Sequence, residues 1–323
     1  MRGHRVKAQD RGSAEDRVKN YVLAGQPIAA QRLMPGLYLV ATPIGNLRDI
    51  TLRALQTLAA ADAIACEDTR VTSKLLSHYG IATPLTPYHE HNAAAARPKL
   101  LARLAAGQAI ALVSDAGTPL ISDPGFKLVR AAREAGHAAI AVPGASAALA
   151  ALTVAGLPTD RFFFEGFLPV KDGPRRARIA ELARIPATLI LYESGPRVAR
   201  SLAALATGLG PRQAAICREL TKLHEEVRRG DLATLARAYE DGAKESAKER
   251  AETRGEFTIV VEPPATDAGQ PDADAVDALL RRLLRHASVK DAVSEVAVAT
   301  GRPRREIYRR ALALGENNDG AAR

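Results

Sequence analysis

Tryptophan is absent from this 323-residue chain, and aromatic residues make up only 4% of it. With so few large rings, the core has to be assembled from Ala, Leu, Val and Ile. Cysteine occurs only as Cys66 and Cys217, which excludes a disulfide framework and makes a reducing compartment the expectation. No apolar run reaches the roughly 18 residues of a membrane-crossing helix. Residues 1–35 contain no apolar stretch of the signal-peptide type, so a cytoplasmic protein is expected. The first strand-like segment is followed by neither G-x-G-x-x-G nor G-x-x-x-x-G-K-[ST], which removes a dinucleotide turn and a Walker phosphate loop. No metal site is expected either. His89 and His91 flank Glu90, but a two-residue spacing with no third ligand nearby describes surface histidines better than a centre.

What is present is ordinary for a globular chain: 47% apolar and 25% charged residues, enough to exclude a disordered chain, a collagen or a coiled-coil rod. The length suggests two domains with a small appendage. Net charge is +9, and it is unevenly spread. Residues 1–35 hold 7 basic and 3 acidic side chains, and residues 281–310 hold 9 and 3. The second cluster is what a polyanion partner would meet, or else a solvated helix face.

Residues 1–35 show no sustained periodicity and read as a disordered basic tail. Met34 lies just before the first convincing strand, so an over-called start is an open reading. From Gly36 to Pro158, buried-strand runs such as Leu37–Ala41, Ala61–Cys66 and Ala109–Ser114 alternate with helical stretches. That alternation predicts a parallel α/β sheet. Gly156–Asp160 is a breaker cluster. A second α/β domain is expected over 159–263, and its charged 240–255 stretch reads as a surface loop or frayed helix. Residues 264–273 form a linker, and 274–315 a helical module. In that module Ser288 suits an N-cap, Gly301 a C-cap and Pro303 the first turn of a helix, a pattern resembling a helix-turn-helix unit.

The most informative segment runs from Ser114 to Gly125, SDAGTPLISDPG, between a buried strand and a helix. That is the carboxyl end of a strand, where open α/β sheets bind ligands. Two glycines permit close backbone approach and two prolines fix the loop's shape, so a polar ligand on its backbone groups is the reading favoured over a bare connector.

Leu39–Thr51, LVATPIGNLRDIT, resembles the opening of one subgroup of the tetrapyrrole-methylase superfamily. The same subgroup is matched in order by Cys66–Arg70, Ser114–Gly125, Val142–Ala147, Phe164–Pro169, Tyr192–Ser194, Arg218–Lys222 and Gly255–Thr258. The subgroup is the 16S ribosomal RNA cytidine 2′-O-methyltransferases. The resemblance spans about residues 36–315, and departs in the 1–35 extension and the loose 240–255 segment. It implies a two-domain class III methyltransferase fold with S-adenosylmethionine between the domains, usually as a homodimer. Carried over residue by residue, it implies cofactor contacts at Asp115, Gly117, Thr118, Leu120 and Ile121, with Ser146 and Tyr192 as additional ones.

Methyl transfer to a ribose hydroxyl needs alignment and help in removing a proton. Strand-end candidates for the base are Glu67, Asp68, His89, Glu90, Asp123 and Glu193; Glu67, Asp68 and His89 are carried forward as catalytic, with no spacing that singles one out. Asp68 has a second reading, as the cap of the helix beginning near Thr69. For phosphates of the small ribosomal subunit RNA the candidates are Arg70, Lys171, Arg175, Arg304, Arg305 and Arg309, with Lys74, Arg176 and Arg178 behind them. The Phe162-Phe163-Phe164 run reads as core rather than as a stacking platform. Two other functions stay in view: methylation of a corrin or sirohaem precursor, and a non-catalytic RNA-binding assembly factor. The appended basic module speaks against the first and the Ser114–Gly125 loop against the second.

Overall fold

A computed structural model describes residues 19–122, 125–244, 255–265 and 273–319. The chain divides into two compact units, Met1–Glu262 and Pro263–Arg323.

The first unit opens with a hairpin that composition did not reveal. Strands β1 (Asn20–Leu23) and β2 (Gln26–Ala29) pair antiparallel with Leu23 opposite Gln26. The two turn residues, Ala24 and Gly25, both have positive φ, 49° and 79°, as a tight hairpin turn of the right twist requires. Tyr21 is buried in the first core, and Val22 N–H donates to the Tyr79 carbonyl at 2.7 Å. The expected tail over 1–35 is therefore corrected: residues 20–29 belong to the fold, and only 1–18 lie outside the described residues. Four-residue strands carry too few alternating positions to register as periodic.

The first half of this unit builds a parallel sheet. Its elements are β3 (Gly36–Val40), α1 (Leu52–Ala60), β4 (Ala63–Cys66), α2 (Thr69–His78), β5 (Leu85–Pro87), α3 (Ala93–Ala105) and β6 (Ala109–Leu112). To these are added α4 (Phe126–Glu134), β7 (Ala139–Val142) and α5 (Ala147–Ala155). The strand order is β5-β4-β6-β3-β7, all parallel. β4 and β6, reading AIAC and AIAL, are buried throughout, as strands covered by helices on both faces must be. Thr51 caps α1 by accepting from Ala54 N–H at 3.1 Å.

The second sheet takes β8 (Phe162–Phe167), α6 (Asp172–Leu182), β9 (Thr188–Ser194), α7 (Gly195–Leu209), β10 (Gln213–Arg218), β11 (Glu226–Asp231), α8 (Leu232–Lys244) and β12 (Glu256–Val261). Its order is β11-β10-β12-β9-β8, antiparallel except for β8 on β9. β11 was not foreseen, because EVRRGD has one apolar residue; it is held by its backbone ladder to β10 at the sheet's edge. Helix α8 runs to Lys244, into the stretch expected to be a surface loop or frayed helix; 245–254 lie outside the described residues.

The two sheets share a core. Ala148, Ala151 and Leu152 of α5 pack with Ile190, Ala215, Cys217 and Val260 of the second sheet, and Ile44 joins them. The halves expected as separate domains, 36–158 and 159–263, thus fall within one compact unit.

The second unit is α9 (Ala273–Leu283), α10 (Val289–Thr300) and α11 (Arg304–Asp319) around Val276, Leu280, Val296 and Ile307. Ser288 accepts from Asp291 N–H at 3.2 Å and Gly301 ends α10 at φ 67°, as their residue types suggested. Most of the linker, 266–272, lies outside the described residues.

The hairpin gives a test. Removing residues 1–33 should lower the melting temperature. Tyr21→Ala alone should cost about 3 kcal/mol in urea unfolding, the usual loss for a large buried side chain.

Candidate active site

β3 and β6 are neighbours in the sheet, so the loops leaving their carboxyl ends are neighbours too. A two-bond bridge ties them: Thr42 N–H donates to the Gly117 carbonyl at 2.9 Å, and Gly117 N–H to the Thr42 carbonyl at 3.1 Å. Gly117 holds φ +80°, and a Cβ there would lie 3.2 Å from Ile44 Cγ2. Thr42 Oγ1 donates to the Ser114 carbonyl at 3.3 Å, and Thr118 Oγ1 to the Ala145 carbonyl at 3.2 Å. The loop is thereby fixed from two sides, and Leu120 and Ser122 beyond it hold positive φ of 76° and 62°. Strained backbone of this kind collects at functional sites.

Beside this loop lies a cavity of about 360 Å³. Its first wall is Asp115, Ala116, Gly117, Thr118, Ile121 and Ser122, with Ile44, Ser146 and Ala147. The facing wall comes from the second sheet: Phe167, Tyr192, Glu193, Ser194, Cys217, Glu219, Leu220, Lys222 and residues Glu256 to Thr258. Six of the seven expected cofactor contacts, Asp115, Gly117, Thr118, Ile121, Ser146 and Tyr192, converge here. Leu120 does not line the cavity; its positive φ turns the side chain toward Gly125, where a Cβ would meet Leu120 Cδ2 at 2.8 Å.

Several of these groups already have partners. Asp115 Oδ1 accepts from Asp68 N–H at 3.0 Å, joining the loops after β4 and β6. The Tyr192 hydroxyl accepts from Ala148 N–H at 3.1 Å, standing in for a cap on α5, whose N-cap Ser146 makes no side-chain capping bond. Glu193, almost wholly buried, accepts from Ser201 Oγ at 2.5 Å and Ser194 N–H at 2.9 Å, with Arg197 Nε at 3.2 Å. Burial pushes the Cys217 thiol up to about 11, so it lines the cavity as a neutral group.

A charged trio escaped the sequence reading. Lys222 Nζ lies 2.9 Å from both Glu219 Oε1 and Glu256 Oε2, and the Glu219 carboxylate also accepts from Glu256 N–H at 3.0 Å. Burial would raise the Glu219 carboxyl, but the Glu256 amide and the Lys222 ammonium together hold it below the ordinary carboxylate range. Glu219 and Thr221 both sit at positive φ, and Asn46 N–H donates to Thr221 Oγ1 at 3.2 Å, so this loop is clamped onto the turn after β3. The trio assembles from β12 and the loop after β10, a convergence no local spacing announces.

The expected catalytic residues separate. Asp68 caps α2, accepting from Arg70 N–H at 2.8 Å and pairing with the Arg70 guanidinium; that pairing carries its carboxyl down to about 2. It acts as a cap, and it does not line the cavity. Glu67 stands near Asp115 and His89; burial first, then the Asp115 charge, raises its carboxyl above the ordinary range. For His89 the geometry supplies no catalytic arrangement: its backbone N–H donates to Asn92 Oδ1 at 2.9 Å, and its ring centroid is 6.1 Å from that of His91. Neither Glu67 nor His89 lines the cavity. Asp123 lies outside the described residues.

Of the expected phosphate contacts, Arg70 and Lys171 are exposed in the first unit, and Arg304, Arg305 and Arg309 in the second. Arg175 is corrected: it is 4% exposed and bonded to Asp172 and the Val170 carbonyl, so it holds the start of α6. Arg178 is likewise engaged, with Glu165 and Glu181. The Phe162 ring is 46% exposed rather than core, whereas Phe163 and Phe164 pack against the two cores of the second sheet.

Residues 36–236 match the family of Tetrapyrrole (Corrin/Porphyrin) Methylases, and residues 270–315 match the RsmI C-terminal HTH domain. A protein of Mesorhizobium japonicum named ribosomal RNA small subunit methyltransferase I is 52% identical, over 91% of this chain and 98% of its own. Proteins of the same name from Erythrobacter litoralis and Escherichia coli O157:H7 are 51% and 44% identical, over 88% and 85% of this chain and 98% and 94% of theirs. Among solved structures, a cobalt precorrin-4 methyltransferase superposes with TM-score 0.52 at 16% identity, over 70% of this chain and 94% of that one. Diphthine synthase gives 0.53 at 17%, over 70% and 89%. These distant likenesses establish the fold, and the close ones the branch: the chain belongs to the tetrapyrrole methylase family, among the relatives named ribosomal RNA small subunit methyltransferase I.

Proposed function

We propose that this chain transfers a methyl group from S-adenosylmethionine to the 2′-oxygen of a cytidine ribose in 16S ribosomal RNA of the small subunit. The likeness to relatives of that name carries the reading, because it runs through the cavity-bearing unit and the helical unit alike, at 52% identity over 98% of one relative.

The cavity suits the cofactor. Its volume, about 360 Å³, lies in the range of small-molecule sites. Gly117 leaves open a space that a Cβ would fill, so backbone can approach a ligand closely. The polar backbone of 115–118 and the Ser146 hydroxyl are placed to hold an amino acid and a ribose. The buried Ile44, Leu220 and Cys217 offer an apolar shelf for adenine, braced by Tyr192. When bound, S-adenosylmethionine supplies an already activated methyl group. The chain's own work is to orient the ribose, exclude water and receive the hydroxyl proton. Among the candidate bases Glu67 is the one whose carboxyl is shifted toward holding a proton, and it stands beside Asp115, a residue of the cavity wall. Arg70 and Lys171 on the first unit, and Arg304, Arg305 and Arg309 on the second, serve the phosphates.

Incubation with labelled cofactor and isolated small subunits should place one methyl group on the ribosomal RNA. Alkaline hydrolysis should then spare the bond after the modified cytidine, since a 2′-O-methyl blocks cleavage there. Methyl transfer to a tetrapyrrole instead of RNA would overturn the reading.

Gly117→Val should abolish cofactor binding in calorimetry and also lower the melting temperature, because a branched side chain at φ +80° fills the space beside the loop and strikes Ile44.

Glu67 gives a pH test. Its carboxyl is raised in the folded state, so its contribution to stability is present below the ordinary carboxylate pKa and lost as pH rises through its raised value. Glu67→Gln should therefore gain melting temperature relative to the parent at pH 7.5 and gain less at pH 4, while lowering the methylation rate.

Joint replacement of Arg305 and Arg309 by Ala should weaken RNA binding and flatten its salt dependence. Each phosphate left without its arginine should reduce the slope of log affinity on log salt by roughly 0.7 to 0.9, with cofactor affinity unchanged.

A further inference from the structure

We infer that Phe167 is the platform on which the target nucleobase of the RNA stacks, at the rim of the cavity; this rests on the proposed RNA methylation and specifies how its substrate is held.

Among the described residues β8 is an edge strand, bonded only to β9. Its register runs Phe162–Thr188, Phe163–Leu189 and Phe164–Ile190, then jumps to Gly166–Leu191 and Phe167–Tyr192. Glu165 is the extra residue of a bulge. In an unbroken strand, residues three apart point to opposite faces. Here the rings of Phe164 and Phe167 both lie edge-on to Tyr192, at centroid separations of 4.9 and 5.8 Å. The bulge has turned Phe167 to the cavity side, the re-aiming of a side chain that bulges beside active sites perform.

Two features lock the bulge. Gly166 holds φ +74°, and a Cβ there would come within 3.0 Å of Ser122 Oγ, at the end of the cavity loop. The displaced Glu165 carboxylate is gripped by Arg178 through paired contacts, Nε to Oε1 and Nη2 to Oε2, each 2.7 Å. Such a fork is the most directional ion pair available to side chains.

The aimed ring is 52% exposed although it lines the cavity. Exposure alone would say little, since single apolar side chains are common on surfaces. A ring that is re-aimed, packed at an angle against Tyr192 and half exposed at the cavity is a different object: it offers an apolar π-surface of the kind on which unstacked bases lie. The deep shelf of Ile44, Cys217 and Leu220 is nearly closed to solvent and suits the cofactor's adenine, which leaves the half-open rim for a second heteroaromatic ring. Beyond Phe167 the chain carries exposed Lys171 and Arg176, cations suited to the phosphates flanking a splayed-out base.

The chain lacks tryptophan, so Phe167→Trp installs a single tryptophan on the platform, which can be excited apart from the tyrosines. In the full-length protein with S-adenosylhomocysteine bound, its emission should be quenched by a cytidine-containing oligoribonucleotide and by isolated small subunits. S-Adenosylhomocysteine alone should not quench it. Phe167→Ala should raise the KM for small subunits roughly tenfold, with cofactor affinity within about twofold of the parent; Phe167→Trp should keep the parent KM. Phe167→Leu retains apolar bulk without a π-face and should behave as the Ala variant, which separates stacking from loss of folding. Arg178→Ala should give a partial rise in KM, as a positioning residue would, without loss of cofactor binding. An unchanged KM in both the Ala and Leu variants would overturn the inference. So would quenching by S-adenosylhomocysteine alone with lost cofactor affinity, which would assign the ring to adenine. Failure of the parent protein itself to methylate small subunits would remove the proposed function and this inference together.

Discussion

Two backbone hydrogen bonds between Thr42 and Gly117 hold together the ends of adjacent strands, and the cavity depends on them. A parallel sheet presents the carboxyl ends of β3 and β6 side by side, but loops leaving those ends would otherwise diverge. The bridge turns two loops into one wall. Gly117 lets the backbone adopt φ +80° without striking Ile44, and Ile44 in turn packs with α5 and the second sheet. The same few residues therefore set the loop, the packing of one sheet on the other and the close approach of backbone to a ligand.

The facing wall obeys a different rule. Its charges are satisfied internally: Lys222 by Glu219 and Glu256, Glu193 by Ser201, Ser194 and Arg197. Charges paired in such clusters offset part of their desolvation cost, and they fix geometry more than they add attraction. This wall is consequently rigid but electrostatically spent, and offers its ligands shape and ring faces. The aromatic group of Phe164, Phe167 and Tyr192 supplies those faces, and the bulge at Glu165 decides which way the outermost of them looks.

Much of this was legible in the chain, for reasons that differ by element. AIAC, AIAL and the helical runs between them announced a parallel sheet, and α2 begins at Thr69, where the cap reading of Asp68 put it. The loop from Ser114 was legible because its Asp, Gly and Pro residues are adjacent in sequence. What was missed is whatever depends on pairing across distance. β11 has one apolar residue and exists through its ladder to β10; the first hairpin is defined by a two-residue turn and one buried Tyr21. Asp68 could be read as a cap or a base, and only the position of Arg70 decides for the cap. Arg175 looked like a phosphate ligand by type, yet its place at the buried start of α6 makes it structural. The Lys222 trio comes from positions 37 apart, and the one-residue register shift of β8 is defined only by its pairing with β9.

The division of charge follows from the division of tasks. The Lys222 ammonium on the cavity wall is paired with Glu219 and Glu256, and Arg197 is paired with the wall residue Glu193. A polyanionic substrate nevertheless needs cations somewhere, because release of counterions from phosphates supplies most of the affinity for nucleic acid. On the proposed function that need falls to the helical unit, whose three short helices bury a small apolar core and leave Arg304, Arg305 and Arg309 at the surface. Arg302 and Arg310 of the same segment are drawn into pairs with Glu306 and Asp277, so they hold the helices together while their neighbours remain exposed. On that proposal binding strength and chemical alignment are carried by different parts of the chain, so the first should change with salt while the second stays fixed by backbone bonds and packed rings.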